Sequence, residues 1–266
     1  GGGALSMKDQ LFYDAIGVNL REGYGLTETA PVLTLRNVGD PNFLGCCGKP
    51  LMATEVKILD METKEELGIF QKGVVHVRGF QVMKGYYKDE EATKAVLTED
   101  GWFNTGDIGW LTADNNLVLV GRMKETIVLS NGENVEPVPI EEACLESPYI
   151  DQIMLVGQDQ SSIGALVVPS EEALKKCGIL AKDMKSGKNL SIKNETLHEL
   201  IKKEIATHIK SKKSLKSFEQ IKQFEVINEN FTMANGMLSQ TAKIKRNTVF
   251  EKYKSIISNM FEGKDK

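Results

Sequence analysis

The chain has 266 residues, of which 41% are hydrophobic and 26% are charged, and its formal net charge is −4. This composition is typical of a globular protein that is long enough for two domains. The mildly acidic balance argues against a nucleic-acid-binding protein, because phosphate contacts need a concentrated basic face. The apolar runs are all shorter than the roughly 18 residues of a membrane-spanning helix.

The start of the sequence, GGGALSMKDQ, has no initiator methionine and lacks the basic-then-apolar order of a signal peptide. We therefore expect the chain to be part of a longer one. The cysteines are few and irregularly spaced, without the two-residue gap of a zinc knuckle: Cys46, Cys47, Cys144 and Cys177. Reduced thiols and a cytoplasmic location are expected, and peripheral contact with a membrane is left open.

The first half of the chain predicts one short helix followed by strands. Residues 7–17 form the helix, with Leu11, Ala15 and Ile16 on one face. A further short helix is expected at 89–97, where acidic residues occupy the first turn. Alternating or continuous apolar residues predict strands at 54–60, 74–79 and 117–121.

The second half of the chain changes character. A helix beginning at a proline is expected at 137–147, and a hairpin at 152–170. Two amphipathic helices follow, at 193–210 and 246–261. Their apolar stripes are Leu197, Ile201, Ile205 and Ile209 in the first helix and Val249, Tyr253, Ile256 and Met260 in the second.

These elements predict an α+β fold in three parts. Residues 1–44 are expected to be the end of a large N-terminal domain, and residues 45–122 a β-rich, barrel-like subdomain of it. Residues 123–266 are expected to form a small C-terminal α+β domain. The lysine-rich segment 202–222 is interpreted either as a solvated helix face or as a surface for an acidic partner.

Residues 22–31, EGYGLTETAP, combine side chains suited to a small charged ligand. Glu28 could bind Mg²⁺, which prefers a few carboxylates together with phosphate oxygens. Thr27 could hydrogen-bond a phosphoryl oxygen, and Tyr24 offers a flat face for a base. Taken alone, the segment, which includes Gly25, is better explained as a polar surface turn.

Three further segments carry candidate ligand contacts. Asp107 follows Thr-Gly and could accept hydrogen bonds from vicinal hydroxyls, as an acidic residue does with ribose in dinucleotide folds. Arg122 could join it as a multi-donor fork. Gly132 allows the backbone to pass close to a ligand. Lys243 and Arg246 precede a helix and could present a cation to developing negative charge.

Five motifs occur along the chain in a fixed order: YGLTE at 24–28, GVVHVRGFQVMKGYY at 73–87, WFNTGD at 102–107, GRMKETI at 121–127 and TAKIKR at 241–246. Together they resemble the adenylate-forming superfamily of acyl-CoA synthetases, nonribosomal adenylation domains and firefly luciferase. The segments GENVEPVPIE and KIKR are most similar to the branch of long-chain fatty acyl-CoA and acyl-ACP synthetases.

The resemblance implies an enzyme that uses ATP, Mg²⁺ and CoA to activate a fatty acid through an acyl-adenylate and transfer it to a thiol. Its nucleotide contacts would be Gly1, Gly2, Gly3, Tyr24, Gly25, Thr27, Asp107, Arg122 and Lys243. The catalytic residues would be Lys243, Thr27 and Glu28, with Glu28 also the metal ligand. Lys124 would be the hinge of a mobile C-terminal domain, and the loop with Gly132 would shape the path of the thiol.

One departure from the superfamily pattern limits this expectation. The Ser/Thr/Gly-rich phosphate loop that ends in a lysine does not occur in these 266 residues, so we expect the chain alone to be inactive. An acyl-ACP synthetase, or a stand-alone adenylation domain that loads a carrier protein, is the alternative within the same chemistry. A non-catalytic interaction module that retains the fold is the alternative from a different class.

Overall fold

The computed structural model describes residues 5, 7–37, 45–178, 192–211 and 215–262. The chain divides into two compact units, one built from residues 4–124 and the other mainly from residues 125–266. Each unit is described by itself below. In the described parts of the chain, none of the helices is both long and apolar enough to cross a membrane.

The first unit opens with helix α1 (Met7–Ala15). The helix lies where the sequence predicts it, but its expected apolar face is not buried, since Leu11 and Ile16 are 51% and 57% exposed. The buried side chain is Gln10, whose amide donates to the carbonyl of Leu5 at 3.0 Å and accepts from the amide of Gly45 at 3.0 Å. Apolar residues surround this short helix on several sides, so the pattern did not define one stripe.

A small antiparallel sheet follows, with strand order β1-β2-β3. Its strands are β1 (Gly23–Tyr24), β2 (Thr34–Leu35) and β3 (Lys49–Pro50). Between β1 and β2 the chain makes a one-turn 3₁₀ helix, Thr27–Thr29. This turn fixes the backbone of the segment that the sequence singled out for ligand contacts.

The larger sheet of the first unit has four antiparallel strands in the order β4-β5-β6-β7. These strands are β4 (Glu55–Leu59), β5 (Gly73–Arg78), β6 (Phe103–Leu111) and β7 (Leu117–Arg122), and helix α2 (Glu90–Val96) lies between β5 and β6. The three predicted strands are confirmed. The barrel is wrong: within the described residues β4 and β7 are the two edges of an open sheet, and they do not pair with each other.

The core of the first unit lies against this sheet. Its buried members are Tyr24, Leu33, Ile58, Val75, Val77, Phe103 and Leu117. Tyr24 comes from β1 and the others mostly from the larger sheet, so one cluster joins the two sheets. The core therefore fixes the 22–31 segment against the strands that carry Asp107 and Arg122.

The second unit combines a hairpin, a three-stranded sheet and four helices within its described residues. In chain order these are β8 (Ile127–Val128), β9 (Asn134–Val135), α3 (Pro137–Cys144), β10 (Ile150–Val156), β11 (Gly164–Pro169), α4 (Glu171–Lys176), α5 (Glu195–Ser211), β12 (Gln223–Val226) and α6 (Arg246–Phe261). Strands β10 and β11 form the predicted antiparallel hairpin, and β12 pairs with β11 in parallel. The helix expected to begin at a proline does so at Pro137.

The three-stranded sheet is buried on both faces, which explains its long apolar runs. On β10, Ile153 and Leu155 belong to one core cluster, while Met154 and Val156 belong to another. The first cluster contains buried residues of α3, α4 and α5, and the second those of α6. The predicted stripe of α5 is confirmed, because its four apolar residues are 0–6% exposed: Leu197, Ile201, Ile205 and Ile209.

The stripe of α6 is confirmed with one adjustment. Val249, Tyr253 and Met260 are buried, but the position between them is filled by Ile257, while Ile256 is only partly buried. A helix turns by about 100° per residue, so neighbouring positions compete for the same face. The four cysteines are free thiols in this structure.

Candidate functional site

Asp107 lies at the centre of a three-residue cluster in the first unit. The hydroxyl of Tyr24 donates to Oδ2 of Asp107 at 2.5 Å, and Nε of Arg122 lies 2.8 Å from Oδ1. Asp107 on β6 and Arg122 on β7 are directly paired across the antiparallel ladder. The Asp107 side chain is 6% exposed, whereas that of Arg122 is 51% exposed. The cluster thus presents a cation at the surface over a buried carboxylate.

The local backbone holds Asp107 in place. Its amide donates to Oγ1 of Thr105 at 3.1 Å, and the Thr105 hydroxyl donates to the carbonyl of Val75 at 2.8 Å. Gly106, between them, has a φ of +69°, a conformation that favours glycine. The Thr-Gly-Asp motif therefore bends strand β6 and directs the carboxylate toward Tyr24 and Arg122.

Burial, followed by the neighbouring Asp107 carboxylate, raises the pKa of Tyr24 well above its ordinary value. The hydroxyl consequently stays protonated and acts as a donor across the range in which proteins fold. Tyr24 is only 8% exposed and belongs to the core. Its contact with a base therefore stays a prediction.

The 3₁₀ turn after β1 carries the next two predicted residues. Thr27 is exposed and Glu28 is half-buried. Gly25 precedes the turn at a position where a Cβ would lie 1.5 Å from the backbone oxygen of Pro31. Because no side chain fits there, Gly25 allows the segment to fold back on itself, which is a structural role that the sequence did not reveal.

The sequence missed a residue that contacts Glu28. The hydroxyl of Tyr86 donates to Oε1 of Glu28 at 3.0 Å, and the amide of Met83 donates to the Glu28 carbonyl at 2.8 Å. Tyr86 belongs to the motif at 73–87, so that motif was visible in the sequence. Its partner was not, because the two residues are 58 positions apart.

Lys124 lies in a one-turn 3₁₀ helix, Met123–Glu125, and is exposed. The boundary between the two compact units falls directly after it. Gly132 lies in the turn between β8 and β9, with a φ of +83° and open space where a Cβ would lie. Its amide donates to the carbonyl of Leu129 at 2.9 Å, which closes the turn.

Lys243 is presented by a hydrogen-bonded turn in the second unit. Its amide donates to Oγ of Ser239 at 3.1 Å, and its carbonyl accepts from the amide of Ser239 at 2.8 Å. Ala242, the residue before it, has a φ of +58°. The Lys243 side chain is exposed, and among the described residues no acidic group pairs with it.

Arg246 does not precede helix α6 as a second presented cation; this expectation is wrong. It is the first residue of the helix and donates from Nη1 and Nη2 to the two oxygens of Glu141, at 2.8 Å and 2.6 Å. Burial alone would lower the pKa of Arg246, but Glu141 and Glu125 raise it above its ordinary value. Arg246 and Glu141 thus form a structural ion pair.

The structure brings together Tyr24, Asp107 and Arg122, and it places Thr27 and Glu28 in a neighbouring turn of the same unit. Lys243 and Gly132 belong to the other unit. The predicted contacts Gly1, Gly2 and Gly3 lie outside the described residues.

Two protein families match the chain. Residues 1–87 match the family described as AMP-binding enzyme, and residues 124–265 match the family described as AMP-binding enzyme C-terminal domain. The second match covers more than half of the chain and includes the turn of Gly132 and the turn of Lys243.

Relatives across nearly the whole chain have names that refer to acyl activation. Over 98% of its length, the chain is 44% identical to probable acyl-activating enzyme 16, chloroplastic, of Arabidopsis thaliana, covering 37% of that protein. It is 41% identical, also over 98%, to the Arabidopsis long-chain-fatty-acid–[acyl-carrier-protein] ligase AEE15, chloroplastic, covering 35% of it. It is 33% identical over 98% to the long-chain-fatty-acid–CoA ligase FadD15 of Mycobacterium bovis, covering 41%.

A solved structure supports the same relationship. The adenylation–carrier didomain of carboxylic acid reductase from Segniliparus rugosus, in complex with AMP, matches with a TM-score of 0.76 and 27% identity. The match covers 95% of this chain and 32% of that one. The chain therefore spans well under half the length of the relatives that it matches. It belongs to the AMP-binding, adenylate-forming enzyme family.

Proposed function

We propose that this chain supplies the ribose contacts, one metal ligand and the catalytic lysine of an ATP-dependent ligase that activates a long-chain fatty acid. In the first half-reaction the fatty-acid carboxylate attacks the α-phosphorus of ATP, and pyrophosphate leaves. In the second, a thiol sulfur attacks the acyl carbonyl and AMP leaves. The Tyr24–Asp107–Arg122 cluster is the observation that carries this proposal.

Asp107 is suited to the ribose hydroxyls because a carboxylate has about four acceptor positions. Tyr24 binds one oxygen of this carboxylate and Arg122 binds the other, so its orientation is fixed. The guanidinium of Arg122 is half-exposed beside this carboxylate, and its planar multi-donor geometry suits the same sugar. The cluster is thus organised before nucleotide arrives, which lowers the entropic cost of binding.

Glu28 is suited to Mg²⁺. Its Oε1 accepts from Tyr86, and among the described residues no side chain hydrogen-bonds its Oε2. Mg²⁺ bound through one protein carboxylate usually takes its other ligands from substrate phosphates and water. When bound, it would neutralise charge on the phosphate oxygens. Thr27, exposed beside Glu28, would donate to a phosphate oxygen.

We assign Lys243 to the stabilisation of the negative charge that develops in the first half-reaction. Its exposed ammonium extends from a turn held by two hydrogen bonds to Ser239. A cation aimed at charge that forms in the transition state lowers the barrier. Lys124, at the boundary of the two units, is assigned as the hinge about which the second unit turns, and Gly132 as part of the thiol path.

The acceptor thiol is proposed to be that of CoA, with an acyl carrier protein as the second candidate. One observation supports the carrier protein as this second candidate: the relative named as an acyl-carrier-protein ligase is 41% identical, and the one named as a CoA ligase is 33% identical. Fatty acid and ATP are the other substrates. Cytoplasmic location, with or without membrane contact, stays a prediction.

The experiment uses the full-length protein that contains this chain. Purified enzyme is incubated with ATP, Mg²⁺ and a panel of fatty acids, and pyrophosphate release is measured without an acceptor and with CoA or holo acyl carrier protein. We expect acid-dependent release that is greatest with long chains, and a thioester with one of the two acceptors. Absence of acid-dependent release with every acid would contradict the proposal and favour the non-catalytic interaction module.

A further inference from the structure

Tyr86 and Glu28 form a contact that the proposed chemistry has not yet used. The Tyr86 hydroxyl lies 3.0 Å from Oε1 of Glu28, and Tyr86 is 38% exposed. A phenol donating to a carboxylate makes a charge-assisted hydrogen bond, which is stronger and more directional than a neutral one. The contact therefore constrains the rotation of the Glu28 carboxyl group.

The backbone of Glu28 is held by the same segment. The Met83 amide donates to the Glu28 carbonyl at 2.8 Å, three residues before the tyrosine that binds the side chain. Within the 3₁₀ turn, the amide of Leu26 donates to Oγ1 of Thr29 and the Thr29 hydroxyl donates back to the Leu26 carbonyl, both at 3.0 Å. Main chain and side chain of Glu28 are thus both fixed.

Tyr86 is itself anchored through its backbone. Its amide donates to Oγ1 of Thr93 at 2.9 Å, and the Thr93 hydroxyl donates to the carbonyl of Asp89 at 2.7 Å. Gly85 has a φ of +150°, and a Cβ there would lie 2.8 Å from the Thr93 side chain. The tyrosine is therefore carried by a tight turn attached to the first turn of helix α2.

We propose that Tyr86 is a positioning residue for the metal: it binds Oε1 of Glu28 so that Oε2 faces the ligand. This inference rests on the proposed role of Glu28 as a Mg²⁺ ligand. Partners that orient a ligating carboxylate are worth roughly 10–100-fold in metal affinity. Removal of the Tyr86 hydroxyl should leave the Glu28 carboxylate free to rotate. The affinity for the metal should then fall, while the other nucleotide contacts stay unchanged.

The chain offers a matched control one residue away. Tyr87 is 88% exposed, and Nζ of Lys88 lies 5.3 Å from the centre of its ring. Tyr87→Phe removes the same hydroxyl from the same turn, at a position where the described residues give it no acidic partner. Any effect of Tyr86→Phe beyond that of Tyr87→Phe is therefore due to the contact with Glu28.

The experiment compares full-length wild type, Tyr86→Phe, Tyr87→Phe, Glu28→Gln and the Tyr86→Phe/Glu28→Gln double variant. The Mg²⁺ concentration for half-maximal pyrophosphate release is measured at fixed ATP. Binding of Mn²⁺ in the presence of ATP is measured separately by electron paramagnetic resonance, which does not depend on turnover. We expect Tyr86→Phe to raise both midpoints by about 10-fold and Tyr87→Phe to leave them unchanged. In the Glu28→Gln background, Tyr86→Phe should have no further effect.

Two results would overturn the inference, and they differ in what else they overturn. Unchanged metal midpoints in Tyr86→Phe, with raised midpoints in Glu28→Gln, would reject Tyr86 as a positioning residue and keep the metal role of Glu28. Unchanged midpoints in Glu28→Gln would reject the metal role itself, and the inference with it. The thermal unfolding midpoint of each variant is measured to identify a loss of folding. A folding defect caused by Tyr86→Phe would also weaken metal binding in the Glu28→Gln background, whereas loss of the contact with Glu28 would not.

Discussion

Arg246, the first residue of helix α6, makes a two-point ion pair with Glu141 on helix α3. Oε1 of Glu141 also accepts from the amide of Leu155 at 2.7 Å, so one carboxylate joins α3, α6 and strand β10. Nε of Arg246 lies 3.6 Å from Glu125, directly after the assigned hinge residue. The helix that follows the Lys243 turn is thereby fastened to the rest of its unit, so the lysine should move with that unit.

We predict that Arg246→Ala lowers the free energy of unfolding by about 3 kcal/mol, the lower end of the cost of leaving one member of a buried ion pair alone. The measurement is urea denaturation of the full-length protein followed by circular dichroism. Lys245→Ala is the control, because Lys245 is exposed and adjacent. Equal unfolding midpoints for the two variants would show that the pair is not structural.

Gly25 gives a second test within the first unit. A Cβ there meets the Pro31 backbone oxygen at 1.5 Å, so Gly25→Ala must displace the Glu28 turn and should cost about 1–3 kcal/mol. At Gly68 a Cβ would have only the Gln71 side chain, at 4.0 Å, as a neighbour. Gly68→Ala should therefore stay within about 0.5 kcal/mol of wild type. A thermal-shift series checks both, and similar midpoints for the two variants would contradict the account.

Lys124 tests the hinge. Proline fixes φ and has no amide hydrogen, so Lys124→Pro should favour one arrangement of the units and impair one half-reaction more than the other. Lys124→Ala keeps backbone freedom and should retain both. Pyrophosphate release and thioester formation from supplied acyl-adenylate are measured separately for each variant. Full activity of Lys124→Pro in both assays would exclude a hinge at this position.

Much of the fold could be predicted from the sequence because it follows periodic patterns. The stripe Leu197–Ile201–Ile205–Ile209 gave helix α5, and alternation gave β4 and β5. Strand β6 was missed because Thr105-Gly106-Asp107 has the composition of a turn, and Gly106 does bend the strand with its positive φ. A barrel was predicted instead of this open sheet because the apolar pattern of a strand does not specify which other strand it pairs with.

The candidate site was predicted in part, through motif resemblance. The proximity of Asp107 and Arg122 was expected, and they are cross-strand partners. The contacts of Glu28 with Tyr86 and of Arg246 with Glu141 were not expected, since they join residues 58 and 105 positions apart. Contacts at such separations depend on tertiary packing, which neither periodicity nor local composition reports.

The central claim, that Lys243 acts in adenylate formation, is tested most directly by Lys243→Ala in the full-length enzyme, with Lys245→Ala as the exposed neighbouring control. We predict that fatty-acid-dependent pyrophosphate release falls by about 10²–10³-fold in Lys243→Ala, as on removal of a donor to developing negative charge. Thioester formation from preformed acyl-adenylate should be nearly unchanged, and Lys245→Ala should behave as wild type in both assays. Near-normal pyrophosphate release in Lys243→Ala would contradict the account.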